Sequence, residues 1–379
     1  MRIAQLTPSF LPIVGGTEIY VRNLAVFLNK QGVSSEIITL CDREKWKPST
    51  ILQSKSVDQL RVLVWPCYRL SPIANALSMP LKTHCLVSNP SLLRKHLESF
   101  DVLHFHDDVD LSFPLACLGL KKPRVFSFHS LPYHLSYYSR NPIALKLLVR
   151  STSLFHVFSR KDRQALGRLV PNERIRIVPH GVDVNLFLPA REQGRRSQVN
   201  IVWVGRIERQ KGLITLLQAF HAITQNSPTP APVELLIAGK VWDNQCYIEL
   251  LEYKNRMQLT GVRFLGFVEN LPAFLQKADI FVCPSLQETF GIVNLEAMAC
   301  GLSVVATSVG GITDVLVDEE TGFLVPPDDP RTLAEKLSIL INDSKLRKNM
   351  GKKARTRAEY FSMERTAEMM TKVYSELPL

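Results

Sequence analysis

Short apolar strands alternate with amphipathic helices along this chain, and the alternation runs once, stops, and then starts again. That rhythm builds parallel sheets covered by helices, because each parallel strand needs a crossover before the next can be laid down. Strands are expected near residues 2–6, 35–40, 61–65, 101–105, 124–128, 153–158 and 175–178. A helix near 17–31 follows the first strand, with Ile19, Leu24, Phe27 and Leu28 at helical spacing. Residues 183–198 are polar and aperiodic and read as a linker. Beyond them, strands near 199–204, 233–238, 262–264, 279–282, 303–306 and 323–325 alternate with helices near 212–225, 245–259, 270–277, 291–300, 311–317 and 330–341. The expectation is two α/β domains, 1–187 and 188–360, each a doubly wound parallel sheet, with a last helix within 361–379. Two such domains leave a cleft between them, a common place for a ligand.

A length of 379 residues suits two cores better than one. No apolar run approaches the ~18 residues of a membrane span, and the N-terminal strand lacks the long apolar region of a signal peptide. The seven cysteines (41, 67, 85, 117, 246, 283, 300) form no Cys-x-x-Cys pair, which fits reduced thiols in a cytoplasmic setting. The net charge of +11 lies wholly in the first half. Residues 1–190 hold 24 basic and 13 acidic side chains, whereas 191–379 hold 22 of each. Nine basic and two acidic residues fall within 140–176. That bias predicts contact with an anionic partner such as a membrane surface, and it equally suits a solvated basic face. No nucleic-acid recognition motif accompanies it, so nucleic acid is not expected as a partner.

The segment PSLQETFGIVNLEAMACGLSVVAT joins an apolar strand to a polar loop, a helix and a second strand. Glu288 falls in the loop and Glu296 about a turn and a half into the helix, with Gly291 at its start. Free amides at Gly291, Ile292 and Val293 make an anion site strengthened by the helix dipole. Carboxylates on either side suit sugar hydroxyls. The pair therefore fits a phosphate flanked by two sugars, and alone it would also fit capping or solvated glutamates. Directly after strand 199–204 comes Gly205-Arg206-Ile207-Glu208-Arg209-Gln210-Lys211-Gly212. Arg206 and Lys211 stand where α/β sheets bind ligands and can neutralise a leaving diphosphate, unless this is an exposed basic turn. Lys211 is not followed by Ser or Thr, so this is no P-loop.

In the first half, Gly15-Gly16-Thr17-Glu18 opens a helix after strand one and lets a backbone approach a phosphate, or serves only the turn. His129, at the end of strand 124–128 and followed by Tyr133, Tyr137 and Tyr138, reads either as a polar handle at an acceptor site or as a structural histidine. Asp108-Val109-Asp110, near His104 and His106, has the Asp-x-Asp form that can hold a divalent metal. Arg206 and Lys211 supply the positive charge instead, so no metal and no cofactor is expected.

Together these motifs resemble the retaining GT-B glycosyltransferases of family GT4, the group 1 glycosyltransferases. The resemblance covers nearly the whole chain and is strongest at 201–212 and 264–325. Glu288 through Glu296 matches the family's E-x7-E motif, and GRIERQKG is similar to its diphosphate clamp. GGTEIYVRNLAVFL is similar to its first glycine loop, and VPHGVD to the segment closing its first domain. The resemblance implies that Glu296 holds the nucleotide ribose and Glu288 the donor sugar. It implies that Arg206 and Lys211 grip the diphosphate, aided by Gly15, Gly16, Gly291 and the amides of Ile292 and Val293. It places His129 at the donor sugar near the point of transfer, and returns the C-terminal helix to the first domain. It further implies metal-independent transfer of a hexosyl group, with retention, from a nucleotide-diphosphate sugar to a glycan or lipid-linked acceptor in cell-envelope polysaccharide synthesis. A GT-B sugar-nucleotide epimerase and a non-catalytic nucleotide-sugar binding protein are the alternatives. Thr313-Asp314, Leu302-Ser303 and Gly32-Val33 depart from the family's frequent pairs, outside the residues given chemistry.

Overall fold

The chain divides into two units, Met1–His180 with Met363–Leu379, and Gly181–Ser362. The structure, a computed structural model, describes residues 1–8, 15–42, 53–57, 60–69, 85–107, 112–190, 198–226 and 231–378.

The first unit is built on strands β1 (Arg2–Thr7), β2 (Ser34–Asp42), β3 (Gln53–Val57), β4 (Leu60–Arg69), β5 (Cys85–Val87), β6 (Val102–His106), β7 (Arg124–Ser127), β8 (Leu154–Val157) and β9 (Ile175–Ile177). Their order is β3-β4-β2-β1-β6-β7-β8-β9, with β5 also on β4. Only β3 and β5 run antiparallel to their neighbour. The order reverses at β1, which has β2 on one side and β6 on the other. The helix Gly16–Lys30 buries Tyr20, Val21, Leu24, Phe27 and Leu28 at helical spacing. It packs on the C-terminal helix Met363–Ser375, which belongs to this unit. Arg176 and Glu376 pair at 2.6 Å, and Gln31 donates to the Glu364 carbonyl, so the returning helix is held at both ends.

The second unit holds β10 (Val199–Val204), β11 (Val233–Ala238), β12 (Val262–Gly266), β13 (Ile280–Cys283), β14 (Ser303–Thr307) and β15 (Gly322–Val325). All pairings are parallel, in the order β12-β11-β10-β13-β14-β15. β13 and β14 are buried along their whole length, which is why they read as unbroken apolar runs. Numbered within the unit the order is three-two-one-four-five-six, with its switch point between β10 and β13. Ligands of such sheets bind outside the strand ends at that point.

The division falls a few residues before the expected 187/188. The stretch after His180 is held by the second unit: Arg355 donates to the carbonyls of Val184, Phe187 and Ala299. Of the expected linker, residues 191–197 lie outside the described residues.

Candidate functional site

Two loops of the second unit leave neighbouring strands at the switch point and lock together. The loop after β10 makes a short 3-10 turn, Arg209–Lys211, and ends at Gly212 with φ 65°. A Cβ at Gly212 would overlap the Pro284 carbonyl, in the loop after β13, so only glycine permits this approach. The Leu286 amide donates to the Gln210 carbonyl at 2.8 Å. Above this seam Lys211 Nζ donates to Glu288 Oε2 at 2.7 Å, both side chains nearly buried. Burial alone would lower the Lys211 pKa, but the charge and hydrogen bond of Glu288 outweigh it and leave it raised. Lys211 is therefore a fixed cation.

A third loop presses on Glu288 from the other side. Gly310, after β14, has φ 52°, and a Cβ there would overlap the Glu288 carbonyl. The Gly311 amide donates to the Thr289 carbonyl at 2.8 Å. Thr307 Oγ1, at the end of β14, donates to the Ser285 carbonyl at 2.6 Å. Glu288 is thus positioned by three strand ends rather than by a free loop.

Gly291, with φ 77°, is the N-cap of the helix Ile292–Ala299, so the expected start near 291 is observed. The amides of Ile292 and Val293 take no carbonyl of the described residues, as first-turn amides must, whereas Asn294 donates to the Gly291 carbonyl at 2.9 Å. Glu296, one turn on, is 6% exposed, and burial pushes its carboxyl up to about 8. No hydrogen bond to that carboxyl occurs among the described residues. An unpartnered buried carboxyl is costly and suits a ligand that brings hydroxyl donors.

Arg206 shares the Lys211 loop but is engaged elsewhere. Its half-exposed guanidinium pairs with Glu208 at 3.0 Å and lies 5.1 Å from the Trp242 ring centroid. Trp242 is 64% exposed and follows β11, where the Ile207–Val241 bridge ties its loop to that of β10. Glu208, Trp242 and Asn294 were not singled out from the sequence. An exposed tryptophan just past a strand end was the available signal for the second.

In the first unit, Gly15 caps the helix Gly16–Lys30 in an extended conformation, and a Cβ on Gly16 would meet open space. His129 lies just beyond β7. Its amide donates to Asp107 Oδ1 at 3.0 Å, as does that of Ser130 at 3.1 Å. Its ring sits in a buried aromatic and imidazole cluster, 5.0 Å from Tyr20 and 4.7 Å from Phe158. Asp108 and Asp110 lie outside the described residues, as does the Tyr133 side chain. Among the described residues no group of three or more His, Cys, Asp or Glu side chains is arranged to hold a metal ion.

The protein-family model described as "Glycosyl transferases group 1" matches residues 190–357, and "Glycosyltransferase Family 4" matches residues 14–186. A D-inositol 3-phosphate glycosyltransferase of Corynebacterium jeikeium is 30% identical over 417 aligned positions, spanning 100% of this chain and 97% of that protein. Among solved structures, HepE of Anabaena with UDP and glucose superposes with a TM-score of 0.79 at 20% identity over 100% of both chains. Sucrose-phosphate synthase of Thermosynechococcus elongatus does so with a TM-score of 0.78 at 22% identity over 99% of both. The architecture is thus the GT-B fold, and the chain belongs to the group 1, family 4 glycosyltransferases.

Proposed function

We propose that this enzyme transfers a hexosyl group, with retention and without a metal, from a nucleotide-diphosphate sugar to a glycan or lipid-linked acceptor. The observation that carries the reading is the Lys211–Glu288 pair set beside the open amides of Ile292 and Val293 and the unpartnered Glu296. In this reading the diphosphate lies on the helix N-terminus, with Lys211 and Arg206 as its cations. Glu296 accepts from the ribose and Glu288 from the transferred sugar. In the first unit, Gly15 and Gly16 offer a helix start to a phosphate, and His129 offers a ring nitrogen to a sugar hydroxyl. The bond from the anomeric carbon to the phosphate oxygen breaks, and the acceptor oxygen bonds that carbon on the same face. The acceptor proton passes to the departing phosphate oxygen.

Hydrolysis of UDP-, GDP- and ADP-sugars, followed by NMR of the released anomer, tests this without a known acceptor. One donor class is expected to be cleaved, with the anomeric configuration kept and EDTA without effect. Inversion, or no cleavage of any sugar nucleotide, would overturn it.

A lipid-linked acceptor also fits the first unit. The helix Pro142–Ser151 exposes Ile143, 77% accessible, and Leu147 on the same stripe as Lys146 and Arg150. Apolar residues among cations are the makings of peripheral contact with an anionic membrane. No helix among the described residues is long and apolar enough to cross a membrane. The proposed location is the cytoplasm, at the inner face of the membrane, on the strength of this basic and apolar stripe.

A further inference from the structure

A row of polar side chains crosses the apolar sheet of the first unit: Gln5 on β1, His104 and His106 on β6, Ser127 on β7 and His156 on β8. Each is fully buried. Tyr374, equally buried, reaches the row from the C-terminal helix. Burial, aided by neighbouring imidazoles, holds His104, His106 and His129 well below the usual histidine range, and burial alone lowers His156 to about 4. All four rings are neutral at neutral pH, so each has one N–H and one bare nitrogen.

The direction of every hydrogen bond then follows from one end. His156 Nε2 lies 2.8 Å from the Val178 carbonyl, which can only accept, so the His156 proton is on Nε2. Its Nδ1 must accept from Ser127 Oγ, 2.6 Å away. Ser127 has spent its proton and accepts from His104 Nε2 at 2.6 Å. His104 Nδ1 therefore accepts from the Tyr374 hydroxyl at 2.7 Å. That oxygen receives Gln5 Nε2 at 3.5 Å, the longest step; Ser35 Oγ accepts from the same nitrogen at 3.1 Å and helps fix the amide. Gln5 Oε1 then faces His106 Nε2 at 2.7 Å and accepts its proton. His106 Nδ1 is left to accept from His129 Nε2 at 3.1 Å. The last nitrogen, His129 Nδ1, is buried and has no partner among the described residues.

We propose that this row is a tautomer lock: the Val178 carbonyl, acting through the six side chains of His156, Ser127, His104, Tyr374, Gln5 and His106, keeps the His129 proton on Nε2 and reserves Nδ1 to accept from a hydroxyl of the sugar substrate. The lock cannot run backwards, because inversion would aim the bare Nε2 of His156 at a carbonyl oxygen. An acceptor-only nitrogen rejects phosphate oxygens and selects hydroxyls. His106, Gln5 and Tyr374 are thereby positioning residues for His129. The hydroxyl clause rests on the function proposed above; the lock does not.

Two-bond proton–nitrogen correlation NMR on the 379-residue chain, labelled with nitrogen-15 histidine, reads the tautomer directly. The unliganded protein is expected to show His129 in one form, protonated at Nε2. Ser127→Ala cuts the row and should bring up a second His129 signal set, protonated at Nδ1; Ser127→Thr, which keeps the hydroxyl, should return the single form. Tyr374→Phe, which removes one oxygen, is an independent cut with the same expected result. A purely structural role would lower the melting temperature and leave the tautomer single. A wild-type His129 protonated at Nδ1, or an unchanged single form in both cut variants, overturns the lock. Saturation with the donor returned by the hydrolysis screen should shift the Nδ1 resonance. An unmoved resonance, with that donor still cleaved, overturns the hydroxyl clause alone. Failure of every sugar nucleotide in the screen removes that clause together with the proposed function, while the tautomer spectra still decide the lock.

Discussion

Lys211 and Glu296 show how burial assigns different work to two ionisable groups in one site. Lys211 stays cationic because Glu288 outweighs its desolvation. Lys211→Ala is expected to lower turnover about a hundredfold or more, the scale for losing one preorganised charge donor. Both side chains are nearly buried, so removing the cation leaves Glu288 without its counter-charge, and the melting temperature should fall by roughly 6 °C or more. Donor hydrolysis beside calorimetry checks both, and unchanged turnover would remove Lys211 from the chemistry. Glu296 has no such partner, and its proton is held to about pH 8 against an ordinary 4.5. The folded state therefore binds this proton more tightly than the unfolded chain. Its stabilising share is full below pH 4.5 and is lost as pH rises towards 8. Hydroxyl donors on a ligand favour the carboxylate, so nucleotide affinity should rise with pH up to about 8 and then level. Titration calorimetry at pH 7 in buffers of different ionisation enthalpy should show release of about one proton. Glu296→Gln should abolish both the release and the slope, and binding without proton release would count against the ribose assignment.

At the scale of elements, the glycines divide by what surrounds them. Gly212→Ala meets both a left-handed φ and the Pro284 carbonyl. It should cost about 1–3 kcal/mol and open the seam between the two site loops. Gly16→Ala meets open space at a helix start and should leave the melting temperature level or slightly raised. Equal melting temperatures for the two variants would refute the contrast. The same elements show what was legible in the sequence. β10, β13 and β14 were readable because buried parallel strands are continuous apolar runs. The E-x7-E helix was readable because a glycine start and two carboxylates mark it. The helix Ser344–Tyr360 escaped notice because its buried stripe, Met350, Gly351, Ala354 and Ala358, is mostly small residues in a polar sequence. Its close approach, Gly351 against the Gly301 carbonyl, needs that smallness. The short helices Pro90–Leu97, Leu131–Arg140 and Arg160–Leu166 carry too few turns to show a period. The polar row behind His129 was hidden for another reason. Each strand contributes only one or two of its members, and only strand pairing assembles them.

For the whole molecule, the uneven charge predicts where a surface would be met. The protein should co-sediment with anionic liposomes at low salt and release as salt rises past the point where the screening length falls below ~10 Å. Ile143→Asp should weaken that binding while leaving donor hydrolysis intact. Absence of binding to anionic liposomes at low salt would overturn the membrane contact.

The strand order of the second unit also governs when its site comes into being. Lys211 and Glu288 are 77 residues apart in sequence. They meet only after β13 has passed β11 and β12 and joined the far side of β10, through a seam of two registered pairs, Ile201–Ile280 and Val202–Phe281. Local pairings of β10 with β11 and of β11 with β12 close shorter loops and carry less entropic cost. A folding intermediate holding those three strands would have a nearly complete half-sheet and no nucleotide site. Ligand capture during refolding is then a clock for the docking of β13 and β14, and a nascent chain completes the site only after the helix at 292–299 and the strand at 303–307 have cleared the ribosome.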